Sequence, residues 1–88
     1  MSSSVIEREV EVRDPLGLHA RPAAEFAERA ALFVSDISVS KGPRSADAKS
    51  ILLVLTLDLR QGDHVTLRAE GPDALRVVQD LADLMQGR

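Results

Sequence analysis

Hydrophobic and polar residues along this 88-residue chain alternate with two different periods, which separate strands from helices. Three segments have the period of two that is typical of a strand with one buried face: Ile6 to Val12, Asp36 to Ser40 and His64 to Glu70. Gly42-Pro43 predicts a hairpin turn, followed by a weak, polar return strand over 44–47. The pattern therefore predicts four strands.

Two other segments repeat their apolar residues at helical spacing. The first includes Pro22, whose fixed φ suits a first helical turn. Its apolar face comprises Ala23, Phe26, Ala27, Ala30, Phe33 and Val34. The second follows Gly71-Pro72-Asp73, and its apolar stripe comprises Ala74, Leu75, Val78, Leu81, Ala82 and Met85. We predict a helix over each segment, with the apolar face turned toward the core.

The segment from Ile51 to Leu59 supports two interpretations. Its leucines alternate with other residues at a period of two, which favours a strand. Leucine itself prefers helices, however, and Ser50 is a good helix N-cap. With either interpretation, the short connections favour an antiparallel sheet with helices on one face, an α+β fold.

Composition narrows the class of protein. A hydrophobic content of 44% and a charged content of 28% predict one globular domain over residues 1–88, with disorder only in residues 1–4. There is no cysteine and there are only two histidines, so we expect neither disulfides nor a metal site. A net charge of −3 and two aromatic residues argue against nucleic-acid binding. No segment resembles a membrane span or a signal peptide, so we expect a cytoplasmic protein without membrane insertion.

A histidine and an arginine stand at the start of the first predicted helix, in Gly17-Leu18-His19-Ala20-Arg21-Pro22. We expect His19 at or just before the N-cap, where the amides of Ala20 and Arg21 and the helix dipole would meet an anion. The positive helix end also disfavours a protonated imidazole, which leaves a ring nitrogen able to attack phosphorus. These features indicate a phosphohistidine site. The alternative is a small α+β binding module whose histidine merely caps a helix.

This motif, together with Lys49-Ser50-Ile51, Gln61-Gly62-Asp63 and Ala69-Glu70-Gly71, resembles the HPr family from about Ile6 to Met85. HPr proteins are small phosphocarriers of the bacterial phosphoenolpyruvate-dependent phosphotransferase system. The resemblance implies an open-faced β-sandwich of order βαββαβα, in which the ambiguous segment from Ile51 to Leu57 is helical. It also implies that His19 is phosphorylated on Nδ1 and that Arg21 stabilises the phosphoryl group.

The resemblance further implies the partners of such a carrier. Phosphotransferase enzyme I would supply the phosphoryl group and sugar-specific enzyme II components would accept it, so the chain would be a carrier rather than a free-standing enzyme, without a cofactor. Leu16, Ile51, Leu52 and Leu55 are expected to form an apolar docking patch, although these leucines could instead be core residues. With one docking face, the simplest state is a monomer.

Ser50 begins the second helix in this family, and a regulatory serine kinase phosphorylates it in some bacteria. A phosphate there would repel partners at the rim of the docking patch, and a plain N-cap is the alternative role. The chain departs from the family at Leu52 and Leu53, where methionine and glycine are common, and at Asp58, where glycine is usual. A second hypothesis is a regulatory module whose phosphorylation at His19 or Ser50 controls binding to a transcription factor or kinase. The other histidine, in the last predicted strand, is expected at the surface.

Overall fold

The structure, a computed structural model, describes residues 4–15 and 17–87 and contains four strands and three helices in the order βαββαβα. The elements are β1 (Ser4–Glu11), α1 (Ala20–Ala31), β2 (Asp36–Lys41), β3 (Arg44–Asp47), α2 (Ile51–Thr56), β4 (His64–Gly71) and α3 (Ala74–Met85). The predicted docking residue Leu16 lies outside the described residues.

The four strands form one antiparallel sheet in the spatial order β1-β4-β2-β3. The central strand β4 pairs with β1 from Ser4 opposite Gly71 to Glu11 opposite His64, and it pairs with β2 on its other side. Of the residues predicted to be disordered, Ser4 lies in β1, and residues 1–3 lie outside the described residues.

Alternate side chains of the sheet turn toward the helices and form the core. In β4, Val65, Leu67 and Ala69 are buried, whereas His64 and Arg68 are exposed, as the period of two predicts. Helix α3 packs against β1 and β4, α2 packs against β3, and α1 packs against the other two helices. The fully buried residues include members of the sheet, α1 and α3. The predicted α+β open-faced sandwich with helices on one face is confirmed.

The two long helices bury their predicted apolar faces with two exceptions. Val34 lies beyond the end of α1, where the helical spacing no longer applies, and it is 76% exposed. Leu75 is 57% exposed, whereas Val77, which the predicted stripe omits, is fully buried. Leu75 and Val77 lie at opposite edges of the α3 stripe, and the packing of α3 against the sheet buries the edge with Val77.

The ambiguous segment forms a helix and then a loop. Ser50 is the N-cap of α2, and its Oγ accepts a hydrogen bond of 3.3 Å from the amide of Leu53. Val54 and Leu57 turn into the core, and Leu57 ends the helix. The helical interpretation is therefore confirmed over Ile51–Thr56, because a capped helix start and two core contacts outweigh the alternation.

Candidate functional site

His19 is the N-cap of α1, as the sequence predicts. Its backbone is extended, with φ of −121° and ψ of 155°, and its side chain makes no capping hydrogen bond. The imidazole is 41% exposed. The structure therefore gives the ring no capping role and leaves it at the surface, which contradicts the alternative in which His19 only caps a helix.

The loop before α1 is held against the loop after α2. The amide of Leu18 donates a hydrogen bond of 2.9 Å to the carbonyl oxygen of Leu59. Gly17 has a φ of 65°, and a Cβ atom there would overlap that same carbonyl oxygen and lie 3.0 Å from Cα of Arg60. Glycine is therefore required at this position both by conformation and by space, and it sets how closely the two loops approach.

This close approach brings Asp58 to His19. The Oδ1 atom of Asp58 lies 3.1 Å from Nε2 of His19, and Oδ2 accepts hydrogen bonds from Nε and Nη2 of Arg60 at 3.1 and 2.9 Å. The hydrogen bond from Arg60 is the main reason that the pKa of Asp58 lies below its ordinary value, and the positive charge of Arg60 lowers it further. Asp58 is therefore a carboxylate at neutral pH.

An open depression of about 500 Å³ surrounds the exposed side of this pair. Its lining residues are Pro15, His19, Asp58, Arg60 and Gln61. Asp58 and Arg60 carry opposite charges and pair with each other, and Asp58 also contacts His19. The depression is large enough to admit a phosphoryl group or a partner's side chain.

Arg21 does not line this depression. It is exposed in the first turn of α1 and lines a separate pocket whose other residues are Asp14, Leu18, Pro22, Glu25 and Leu84. Within residues 4–15 and 17–87, no hydrogen bond or ion pair engages its guanidinium group. Arg21 is therefore close to His19 in sequence, but its side chain lines a different pocket.

The backbone amides of the first turn of α1 lie next to His19. Ala20 and Arg21 are the first two residues of α1, and amides in that turn have no acceptor within the helix. The twelve-residue helix places the positive end of its dipole at the same point. A negative group bound to His19 would therefore find unpaired donors nearby.

Exposed apolar side chains cover the start of α2. Ile51, Leu52 and Leu53 are 37%, 73% and 47% exposed, and we call these three residues the α2 apolar patch. Leu55 is only half-exposed and packs against the core, so the prediction that places it on the surface is only partly right, and the prediction omits Leu53. In a helix whose first five residues are all apolar, spacing alone did not distinguish the exposed ones.

The surface between α1 and α2 carries one carboxylate and one lysine. Its lining residues are Ala24, Ala27, Glu28, Ala31, Lys49 and Ile51. The Nζ atom of Lys49 donates a hydrogen bond of 2.8 Å to the carbonyl oxygen of Phe33, so this ammonium group is already engaged. The second histidine, His64, is exposed in β4, as the sequence predicts.

Sequence reasoning missed Asp58 and Arg60 as neighbours of His19. The available signal was an acidic residue at a position where glycine is usual in the resembling family. Asp58 indeed has a φ of 51°, in the left-handed region that favours glycine and that aspartate tolerates better than most residues. The contact itself depends on the approach of two loops that are distant in sequence.

Comparison with known proteins identifies the family. The family described as PTS HPr component phosphorylation site matches residues 6–87. The chain belongs to the HPr family. The HPr phosphocarrier protein of Vibrio cholerae is 46% identical over 79 residues, which are 90% of this chain and 93% of that protein. A crystal structure of HPr from Bacillus anthracis superimposes with a TM-score of 0.92 at 35% identity, covering 94% of this chain and 99% of that one.

A further relative is the HPr-like protein Crh of Bacillus subtilis, which is 39% identical over 82 residues, or 93% of this chain and 96% of that protein. With these relatives over nearly the whole chain, the predicted function class is confirmed: the chain is a histidine phosphocarrier of the phosphotransferase system. In the described part of the chain, no helix is long and apolar enough to cross a membrane.

Proposed function

We propose that His19 accepts a phosphoryl group on Nδ1 from phosphorylated enzyme I and passes it to sugar-specific enzyme II components. The observation that carries this proposal is the exposed imidazole at the N-cap of α1, which makes no capping hydrogen bond. The chain acts in the cytoplasm as a monomer and needs no cofactor.

The start of α1 supports the transfer step. His19 attacks phosphorus in line while the bond between phosphorus and the donor's ring nitrogen breaks. The amides of Ala20 and Arg21 and the helix dipole meet the charge on the transferring oxygens. One exposed helix-end contact contributes roughly 0.3 to 1 kcal/mol, which suits a group that must be released again.

Arg21 supplies a second donor by changing its rotamer. Its guanidinium group is exposed and unpaired within the described residues, so leaving its own pocket breaks no hydrogen bond. Its planar fork of donors then binds phosphoryl oxygens on His19.

Enzyme I and the enzyme II components dock on the α2 apolar patch, with Leu55 at its edge and Leu16 as a further predicted member. Exposed apolar side chains that adjoin one another are typical of partner interfaces. The patch lies at the start of α2, and the chain continues from the end of this six-residue helix into Asp58, which contacts His19.

Ser50 supports a second, regulatory role. It caps α2 directly before the patch, and phosphorylation by a serine kinase would add about −1.5 to −2 charges there. That charge would repel acidic partners and favour others, such as a transcription factor. The relative named HPr-like protein Crh is compatible with such a variation on the carrier.

Phosphorylation by enzyme I tests the carrier proposal. The protein is incubated with phosphoenolpyruvate and enzyme I, and acid-labile phosphate is mapped by mass spectrometry. We expect one phosphate on His19, its loss in His19→Ala, and its retention in His64→Ala, which removes the other exposed histidine. Equal labelling of His19→Ala and the wild type would overturn the proposal.

Replacement of Arg21 tests its role separately. Because hydrogen bonds to charged groups contribute about 1.5 to 3 kcal/mol, Arg21→Ala should slow transfer about ten- to a hundredfold without unfolding the protein. The matched control is Arg76→Ala, which removes an exposed arginine from α3. Equal rates in the two variants would remove Arg21 from the mechanism.

A further inference from the structure

Asp58 approaches His19 at one ring nitrogen only. Its Oδ1 atom lies 3.1 Å from Nε2, and a carboxylate oxygen can only accept a hydrogen bond. Nε2 therefore carries the hydrogen, and in the neutral ring the lone pair is left on Nδ1. We propose that Asp58 is a positioning residue for phosphoryl transfer, holding His19 in the tautomer and orientation in which Nδ1 is the nucleophile. This inference rests on the proposed role of His19.

The carboxylate of Asp58 is itself held in place. Arg60 donates two hydrogen bonds to Oδ2, which leaves Oδ1 for the imidazole. The amide of Arg60 donates to Oδ2 of Asp63 at 2.9 Å, and Lys41 pairs with that same oxygen at 2.8 Å. The amide of Asp58 donates to the carbonyl oxygen of Leu55 at 3.1 Å. Asp58 is thus fixed from both its side chain and its backbone.

Asp58 also stabilises the positive charge that develops on the ring of His19 during the transfer. When Nδ1 bonds to phosphorus, the donor's nitrogen–phosphorus bond breaks and its electron pair stays on the donor ring. His19 keeps the hydrogen on Nε2, so its ring gains positive charge as the new bond forms. That charge develops 3.1 Å from a carboxylate, in the way that the aspartate of a serine hydrolase both orients an imidazole and stabilises its cation.

Arg60 limits the repulsion that Asp58 would otherwise exert on a phosphoryl group. Its guanidinium group neutralises the second carboxylate oxygen through two hydrogen bonds and lines the same depression as His19. The pair therefore presents little net charge to the incoming phosphate, while the oxygen that faces His19 keeps its acceptor character.

Two variants at one position test this role. Asp58→Asn keeps a carbonyl oxygen and tolerates the left-handed backbone, whereas Asp58→Gly relaxes the backbone and removes the acceptor. The ¹⁵N chemical shifts of His19 in alkaline buffer report the tautomer. We expect wild type and Asp58→Asn to carry the hydrogen on Nε2, and Asp58→Gly to return toward the tautomer mixture of a free histidine. The initial rate of phosphorylation by enzyme I should fall about two- to fivefold in Asp58→Gly and less in Asp58→Asn.

The two readouts separate this inference from the carrier proposal. If wild-type His19 is never phosphorylated, the carrier proposal fails, whatever the tautomer. If wild-type His19 is phosphorylated but Asp58→Gly has wild-type nitrogen shifts, Asp58 does not position the ring. A shifted tautomer with a wild-type rate would equally overturn the inference, because positioning would then have no effect on transfer.

Discussion

Replacement of Gly17 by alanine tests whether the close approach of two loops assembles the site. Gly17 has a φ of 65°, and a non-glycine residue in this left-handed region costs about 1 to 2 kcal/mol. The added Cβ would also overlap the carbonyl oxygen of Leu59, so the hydrogen bond between Leu18 and Leu59 must break at a further cost of about 0.5 to 1.5 kcal/mol.

Together these costs lower the free energy of unfolding by about 1.5 to 3.5 kcal/mol. For a domain of this size, that is a fall of about 6 to 28 °C in the midpoint of thermal unfolding, measured by circular dichroism. Because the 58–60 loop must move away from His19, phosphorylation by enzyme I should also slow at a temperature where the variant is folded.

Gly42→Ala is the matched control. Gly42 has a φ of 58°, close to that of Gly17, but a Cβ atom there would meet no heavy atom within 4 Å. This variant should bear only the conformational cost and keep the wild-type rate of phosphorylation. Equal losses of stability in Gly17→Ala and Gly42→Ala would show that the overlap with Leu59 has no consequence.

Three other expectations concern docking, regulation and pH. Leu52→Asp in the α2 apolar patch should weaken binding to enzyme I about tenfold or more in titration calorimetry, while Leu75→Asp on α3 should not; equal affinities would remove the patch from the interface. Ser50→Asp should weaken the same binding more than Ser50→Asn, because both side chains cap the helix but only one adds charge; equal binding would argue against a charge effect. Hydrogen bonds from Ser35 and Val34 lower the pKa of Asp73. Asp73→Asn should therefore destabilise the fold at pH values above the ordinary aspartate pKa near 3.8, and the difference in stability from the wild type should vanish as the pH falls through the lowered pKa. Unfolding curves that show a constant difference at every pH would contradict this linkage.

The sequence predicted most of the fold because the strands and long helices have clear periods. The alternation in β4 and the stripe in α3 each follow from local spacing, and both elements formed where the spacing places them. The error at Val34 arose because α1 ends at Ala31, before the helical spacing reaches Val34. The error at Leu75 arose at the edge of a helical face, where tertiary packing decides which side chain is covered.

The candidate site was only half predictable for a different reason. The position of His19 at a helix start depends on its immediate neighbours, so the motif was sufficient. The contact with Asp58 depends on the left-handed backbone at Asp58 and on the absence of a side chain at Gly17, which together bring distant loops into contact. The spacing of apolar residues along the sequence does not predict a contact between two distant loops.

The central place of β4 in the sheet affects how the protein is made. In the described sheet, β1 pairs only with β4, so a nascent chain that ends before residue 64 leaves its first strand without a partner. The sheet can therefore close only after the last quarter of the chain leaves the ribosome, and pairing strands so distant in sequence is slow. His19 and Asp58 both precede β4 in the chain, yet they meet stably only in the folded domain. An incomplete chain would therefore present His19 without the carboxylate that contacts it in the folded domain.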